Sequence, residues 1–300
     1  MFIREKKIDC TDYREVDIIP RTDNAERAVR GKRKKREKET EPKQKDLNDK
    51  NARRYLVQLG NGNFEIGGLH VSCTYDNKHY PKTVEEADKI VNNYIRRIAY
   101  RRNKLQLKEP MKYILVTEYD FDKDGNTLTR IHHHIIMNDG IKREEIEAMW
   151  TKERINWKRY ESDKEYKNWL YSRLMGWVNA DRLQMNENGI EGLCKYITKN
   201  PKGKKRWSSS RNLVRPLPRN PADHKYSRAQ VERLAKSPDA GREFFEKKFP
   251  EYNITSIKPE YYKDTGWHIY LKMWRKQPKP VPKRKQKQKK KSNGVIPKRE

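Results

Sequence analysis

The chain has 300 residues, enough for one large domain or two small ones, and carries 71 Lys and Arg against 42 Asp and Glu, a net charge of +29. That excess goes far beyond what solubility needs and points to a polyanionic partner, with nucleic acid ahead of an anionic membrane surface. With 33% hydrophobic and 38% charged residues, part of the chain is expected to carry no core.

No apolar run approaches the ~20 residues that span a bilayer. The opening MFIREKKIDC lacks the apolar stretch of a signal peptide. Cys10, Cys73 and Cys194 are scattered, without CxxC spacing, which argues against a structural zinc site or a disulfide framework and suits a reducing, cytoplasmic setting.

In chain order, residues 1–45 read as a mobile charged arm, because GKRKKREKETEPKQK (31–45) is almost without apolar side chains and cannot offset its ordering entropy. Ala52, Tyr55, Leu56 and Leu59 predict a helix over Asn48–Leu59. LHVSCTY (69–75) alternates as a half-buried strand. Thr83-Val84-Glu85-Glu86 is a capping box for a long helix whose apolar stripe is Val84, Ala87, Val91, Tyr94, Ile95 and Ile98. Arg96, Arg97, Arg101, Arg102 and Lys104 crowd its end. They either complement the helix dipole or form a phosphate-facing ridge, and the second reading makes the four arginines DNA contacts.

Lys112–Tyr119 and Thr129–Met137 flank a polar turn at Asp122, Asp124, Gly125 and Asn126, the pattern of a β-hairpin. Strand alternation puts His132 and His134 on one face and His133 on the other. A turn centred on Gly125 sets Glu118 opposite His132. Two imidazoles and one carboxylate then make a divalent-metal site with open positions.

A helix over about 141–153 follows, then an aromatic-rich stretch, 154–175, expected to be a helical lid or insertion. Trp177–Leu183 reads as a strand and Asn188–Asn200 as a helix. On that helix Ile190, Leu193, Cys194 and Ile197 share a core face, while Tyr196 and Lys199 lie away from it. Gly192, one turn earlier, leaves room for a bulky ligand.

PKGKKRWSSSR (201–211) wraps Lys202, Lys204, Lys205 and Arg206 around Trp207, the composition of either a nucleic-acid contact loop or a solvated one. Ser227–Phe249 is expected to be helical and Gly266–Trp274 a closing strand. Residues 275–300 hold twelve Lys or Arg against Glu300, a low-complexity tail that carries +11 of the charge.

A cation on Glu118, His132 and His134 would polarise a phosphodiester, and Tyr196, assisted by Lys199, would attack phosphorus. His132-His133-His134-Ile-Ile-Met, the later Tyr196-Ile-Thr-Lys199 and the earlier LHVSCTY strand together resemble the HUH endonucleases. Among these the chain is most similar to the single-tyrosine rolling-circle replication initiators of phage-like and plasmid elements in Firmicutes. The middle residue of their triplet is usually bulky and hydrophobic; here it is His133.

The resemblance implies an α+β fold with an about five-stranded antiparallel, ferredoxin- or RNA-recognition-like sheet and flanking helices over 46–213, followed by a C-terminal helix and closing strand over 214–274. It also implies a Mg or Mn ion, a 5′-phosphotyrosine intermediate, and single-stranded or hairpin origin DNA as substrate. No Gly-x-x-x-x-Gly-Lys-Ser/Thr loop occurs, so unwinding would fall to a separate host helicase. Two alternatives stay open: a single-tyrosine transposase or relaxase, and a non-catalytic nucleic-acid-binding protein.

Overall fold

A computed structural model describes residues 1–30, 42–199 and 206–277. The basic tail beyond 277, much of the charged 31–45 stretch, and Lys202, Lys204 and Lys205 therefore lie outside the described residues. In chain order the elements are β1 (Phe2–Cys10), β2 (Tyr13–Arg21), α1 (Asp23–Arg30), α2 (Pro42–Asn61), β3 (Leu69–Cys73), α3 (Val84–Lys104), β4 (Tyr113–Phe121) and β5 (Thr127–Met137). They continue with α4 (Arg143–Ala148), α5 (Trp157–Ser162), α6 (Lys164–Tyr171), β6 (Val178–Arg182), α7 (Glu191–Tyr196) and the two-residue strands β7 (Ser208–Ser209), β8 (Leu217–Pro218) and β9 (Ala222–Asp223). The last are α8 (Arg228–Lys236), α9 (Arg242–Lys248), β10 (Tyr252–Tyr262) and β11 (Gly266–Arg275).

The chain is a mixed α+β protein with antiparallel sheets and flanking helices. One sheet has the order β6-β3-β5-β4-β7; the other runs β10-β11-β2-β1-β8, with β9 also on β1. In the first sheet, odd-numbered side chains Leu69, Val71, Cys73, Leu115, Ile131, Ile135 and Met137 pack with α3 and α4. Ile114, Val116 and Ile136 face the other way, against Leu56, Val57 and Leu59 of α2 and Ile190, Cys194 and Ile197 around α7. Each strand therefore buries alternate residues on opposite faces.

Several expected elements form for the expected reasons. The Thr83 hydroxyl accepts from the Glu86 N–H at 3.1 Å, while the Glu86 carboxylate reaches back to the Lys82 N–H at 2.8 Å, closing the start of α3. Ser227 caps α8 through the Gln230 N–H at 3.1 Å. The helix expected over Ser227–Phe249 is nevertheless two helices. Ser237, preceding Pro238, takes an extended ψ of 149°, and Gly241 turns the chain at φ 78° before α9.

The mobile arm is a correction: residues 2–21 are a paired hairpin inside the second sheet. Its strands bury Ile3, Ile8, Val16 and Ile18 and, unusually, Glu5, Asp9, Glu15 and Asp17. Each buried carboxylate has a cation or a hydroxyl beside it. Glu15 takes Arg54 at 2.5 Å, Gln58 at 2.7 Å and the Tyr13 hydroxyl at 2.8 Å, and Asp17 takes Arg54 at 2.5 Å. The strand Gly266–Trp274 is present as β11, but it pairs with β2 and β10 and closes the second sheet. The segment 214–274 thus supplies two helices and a hairpin to a layer that begins at the N-terminus.

Buried carboxylates make this layer sensitive to acid. Burial alone would push the Asp9 carboxyl up, but Arg14 and Arg219 hold it below its ordinary value; Glu5 is likewise held down by Tyr226, Lys7, Lys248 and Lys225. A folded-state pKa below the unfolded one stabilises the protein fully above the unfolded range near ~pH 4 and loses that stabilisation as pH falls through the folded value. Thermal melts from pH 6 to pH 3 should therefore show a steeper loss for the wild type than for Glu5→Gln. Parallel curves would remove Glu5 from the acid response.

Candidate metal centre and its tyrosine

The β4–β5 register places Glu118 directly opposite His132, and Val116 opposite His134. Glu118, His132 and His134 point to the face shared with α2 and α7. The His132 Nε2 lies 3.4 Å and the His134 Nε2 3.7 Å from the same Glu118 Oε2. One ligand atom from each of the three falls within 4.8 Å of the others.

Both Glu118 Oε2 and His134 Nε2 are buried without a hydrogen-bond partner. Leaving such atoms alone costs about 1–3 kcal/mol each, so a conserving partner is expected between them. Ligand bonds of about 2.0–2.2 Å would set neighbouring donors about 3–3.5 Å apart, close to the 3.4 and 3.7 Å between the two imidazoles and Glu118 Oε2.

The outer nitrogens fix the rings. His132 Nδ1 donates to the Arg130 carbonyl at 2.8 Å, which turns its Nε2 toward Glu118. His134 Nδ1 lies 3.1 Å from His70 Nε2 and 3.3 Å from the Ser72 hydroxyl. Burial, and then the neighbouring His70, His132 and Lys199, push His134 down to about 3, so its ring is neutral at physiological pH. A neutral His134 ring and the His132 Nε2, both facing one carboxylate, fit a divalent cation.

His133 takes the opposite role. It is fully buried on the α3 face, where it accepts from the Tyr75 hydroxyl at 2.8 Å and contacts Thr117 Oγ1 at 3.1 Å. Thr117 in turn donates to Asp88 at 3.1 Å. The middle histidine is thus a hydrogen-bonded core residue in place of an apolar one.

Tyr196 ends α7 and is half exposed, 51%. Its ring centroid is 5.6 Å from that of His134. Lys199 lies 4.8 Å from the Tyr196 ring centre and 3.6 Å from Glu118 Oε1, bridging the tyrosine and the carboxylate. A Cβ at Gly192 would meet nothing within 4 Å, so the approach to Tyr196 from that side is open.

The helix is shorter than the expected 188–200. The Thr198 hydroxyl bonds the Cys194 carbonyl at 2.6 Å, and Arg53 of α2 donates to the Thr198 and Lys199 carbonyls at 3.1 and 3.0 Å. Arg53, His70 and Ser72 are the site residues that sequence reading passed over. For His70 and Ser72 the signal was present, since they are the polar members of the LHVSC alternation on a strand that pairs with β5.

Three arginines of α3, Arg97, Arg101 and Arg102, are structural, which corrects the phosphate-ridge reading for them. Arg101 is buried between Glu145 at 2.7 Å and Glu161 at 3.1 Å, over the Trp157 ring. Arg102 donates to the Asp139 and Glu109 carbonyls, and Arg97 to those of Met149 and Thr151. Arg96 is exposed and bonds Asn93 on its own helix.

Arg206 pairs with Asp49, and Trp207 stacks on Tyr55 with 6.5 Å between centroids, so both pack against α2 and do not form an open loop. The 154–175 stretch is helical, as α5 and α6, but it packs against α4 on the far side of the sheet, with the Tyr160 and Tyr171 hydroxyls bonding the Glu144 carbonyl. It does not cover the metal-ligand face.

Among the described residues no helix is long and apolar enough to cross a membrane. Compared with protein-family models, curated proteins and solved structures, the chain matches none.

Manganese titration followed by calorimetry should give one site per chain in the wild type. Glu118→Gln and His134→Ala should each weaken it by more than tenfold. His133→Ala should leave the stoichiometry at one while lowering stability by about 2–4 kcal/mol, the cost of emptying a hydrogen-bonded core position. Equal metal affinity in all four proteins would remove the centre.

Proposed function

We propose that the chain is a metal-dependent, single-tyrosine DNA nicking and joining endonuclease of the HUH kind, which starts rolling-circle replication of a plasmid or phage-like element by cutting single-stranded or hairpin origin DNA. The observation that carries this reading is the meeting of Tyr196 and Lys199 with the Glu118, His132 and His134 cluster on one open sheet face. The antiparallel sheet with helices on both faces is compatible with the ferredoxin-like architecture of such enzymes.

Glu118, His132 and His134 would hold Mg or Mn, which when bound withdraws charge from the phosphorus of a phosphodiester. Tyr196 supplies the nucleophile. Its oxygen forms a bond to phosphorus as the bond to the 3′ oxygen breaks, the phenolic proton is lost and the departing 3′ oxygen gains one. The 5′-phosphate remains on Tyr196, so the ester is conserved and the free 3′ hydroxyl can reverse the step. Lys199, beside both the phenol ring and Glu118, places positive charge where the phenolate and the phosphorane develop. His70 and Ser72 keep the His134 ring turned toward the centre.

A merely binding protein has no need for an accessible tyrosine against buried, unpartnered metal-ligand atoms. A transposase or relaxase would share the chemistry and differ in the element it serves; unwinding at an origin would come from a separate helicase.

The test is a labelled single-stranded oligonucleotide carrying the candidate origin, incubated with protein and manganese and run under denaturing conditions. A covalent protein–DNA band is expected from the wild type and should vanish in Tyr196→Phe, with DNA affinity changed less than about twofold. An undiminished band in that variant would refute Tyr196, and no band under any metal or sequence would favour the binding protein.

A further inference from the structure

With Arg97, Arg101 and Arg102 of α3 committed to the fold, another group of cations gathers along β1. Glu5, Lys7 and Asp9 are alternate residues and project from one face of that strand. The Glu5 carboxylate, 1% exposed, is approached by three ammonium groups: Lys7 at 3.3 Å, Lys225 at 3.2 Å and Lys248 at 3.5 Å. It also accepts from the Tyr226 hydroxyl at 2.8 Å. Four residues on from Glu5, Asp9 takes Arg14 at 2.6 Å and Arg219 at 2.8 Å. Five cations thus surround two carboxylates.

One buried anion cannot neutralise three lysines. Burial lowers the Lys248 ammonium from its ordinary value, Glu5 partly offsets this, and Lys225 and Lys7 depress it further, so the cluster carries uncompensated repulsion. The groups are nonetheless held in place. Lys7 sits 5.2 Å from the Phe249 ring centre, and Lys248 sits 3.9 Å from that of Tyr226. Arg219 and Lys225 are about half exposed at the side chain, 50% and 47%, so the stripe opens to solvent. An added anion would relieve the repulsion without new ordering cost.

We propose that this stripe on the second sheet, formed by Lys7, Lys225, Lys248, Arg14 and Arg219, is a binding site for the phosphodiester backbone of nucleic acid, separate from the metal-ligand face. From Glu5 to Asp9 the strand advances about 13 Å, room for several consecutive phosphates of one strand. The site reads charge and spacing, not base identity. It goes beyond the nicking reaction and would stand if Tyr196 proved unreactive.

The test compares full-length wild type with Lys225→Gln/Lys248→Gln/Arg219→Gln, and with a control of equal charge loss, Lys104→Gln/Lys152→Gln/Lys158→Gln, at exposed positions on the helical side of the first sheet. Binding is measured without added metal to a 20-base-pair duplex and to a 20-nucleotide single strand, across a salt series. For the stripe variant the slope of log affinity against log salt should shrink by about 2 to 3 and affinity should fall at least tenfold at moderate salt, while the control changes by less than half as much.

Whichever nucleic acid shows the loss is the form the stripe holds. Equal slopes for the stripe and control variants on both nucleic acids would overturn the proposal. Should the triple variant melt early, Lys225→Gln/Arg219→Gln, which changes only half-exposed side chains, is expected to shrink the slope by about 1 to 2. An unchanged slope there would equally overturn it.

Discussion

The strand phase of one β-hairpin governs the chemistry available to this protein. With Glu118 opposite His132, a carboxylate and two imidazoles meet on one sheet face, and two of their buried atoms, Glu118 Oε2 and His134 Nε2, lack a hydrogen-bond partner. A shift of one residue would send His133 outward and bury His132 and His134, the candidate ligand pair, against α3. The chain of contacts from Tyr75 through His133 and Thr117 to Asp88 opposes that shift, because each polar group in it would lose its partner. The middle histidine therefore serves the site from behind, by holding the register.

The second requirement is that α7 stays beside that face, and here both layers contribute. Arg53 takes the carbonyls after α7, Gly60 lets α2 approach Cys194 closely, and Asn61 holds the Ile190 N–H at 2.9 Å. From the other sheet, Lys272 of β11 pairs with Glu191 at 2.5 Å and the Trp274 indole donates to the Glu187 carbonyl at 3.1 Å. Strand β11, which supplies none of the candidate metal ligands, thus joins α2 in bracing the helix that carries the tyrosine. A short helix of six residues has little stability of its own, so this bracing decides where Tyr196 sits.

What could be read from the sequence divides along local and non-local lines. Alternation over Lys112–Met137, the turn at Gly125 and the Thr83 cap are local, and they suffice to place Glu118, His132 and His134 together and to open α3. The core side of α7 was equally legible from Ile190, Cys194 and Ile197. The fate of charged residues was not. Arg101, Arg102, Glu5 and Asp17 look solvated in a sequence, yet each is buried against a partner 37 to 243 residues away or set beside one, information that only the fold brings together. The same blindness turned the first hairpin into an arm, because its sheet is completed by β11, some 250 residues later in the chain.

The most direct test of the account is an anomalous-scattering map from crystals of the full chain soaked in manganese. The expected result is a single strong peak within about 2.0–2.4 Å of Glu118 Oε2, His132 Nε2 and His134 Nε2, with the Tyr196 hydroxyl facing the same open side. A peak elsewhere, or Glu118 still paired to Lys199 with no density between the imidazoles at saturating metal, would contradict it.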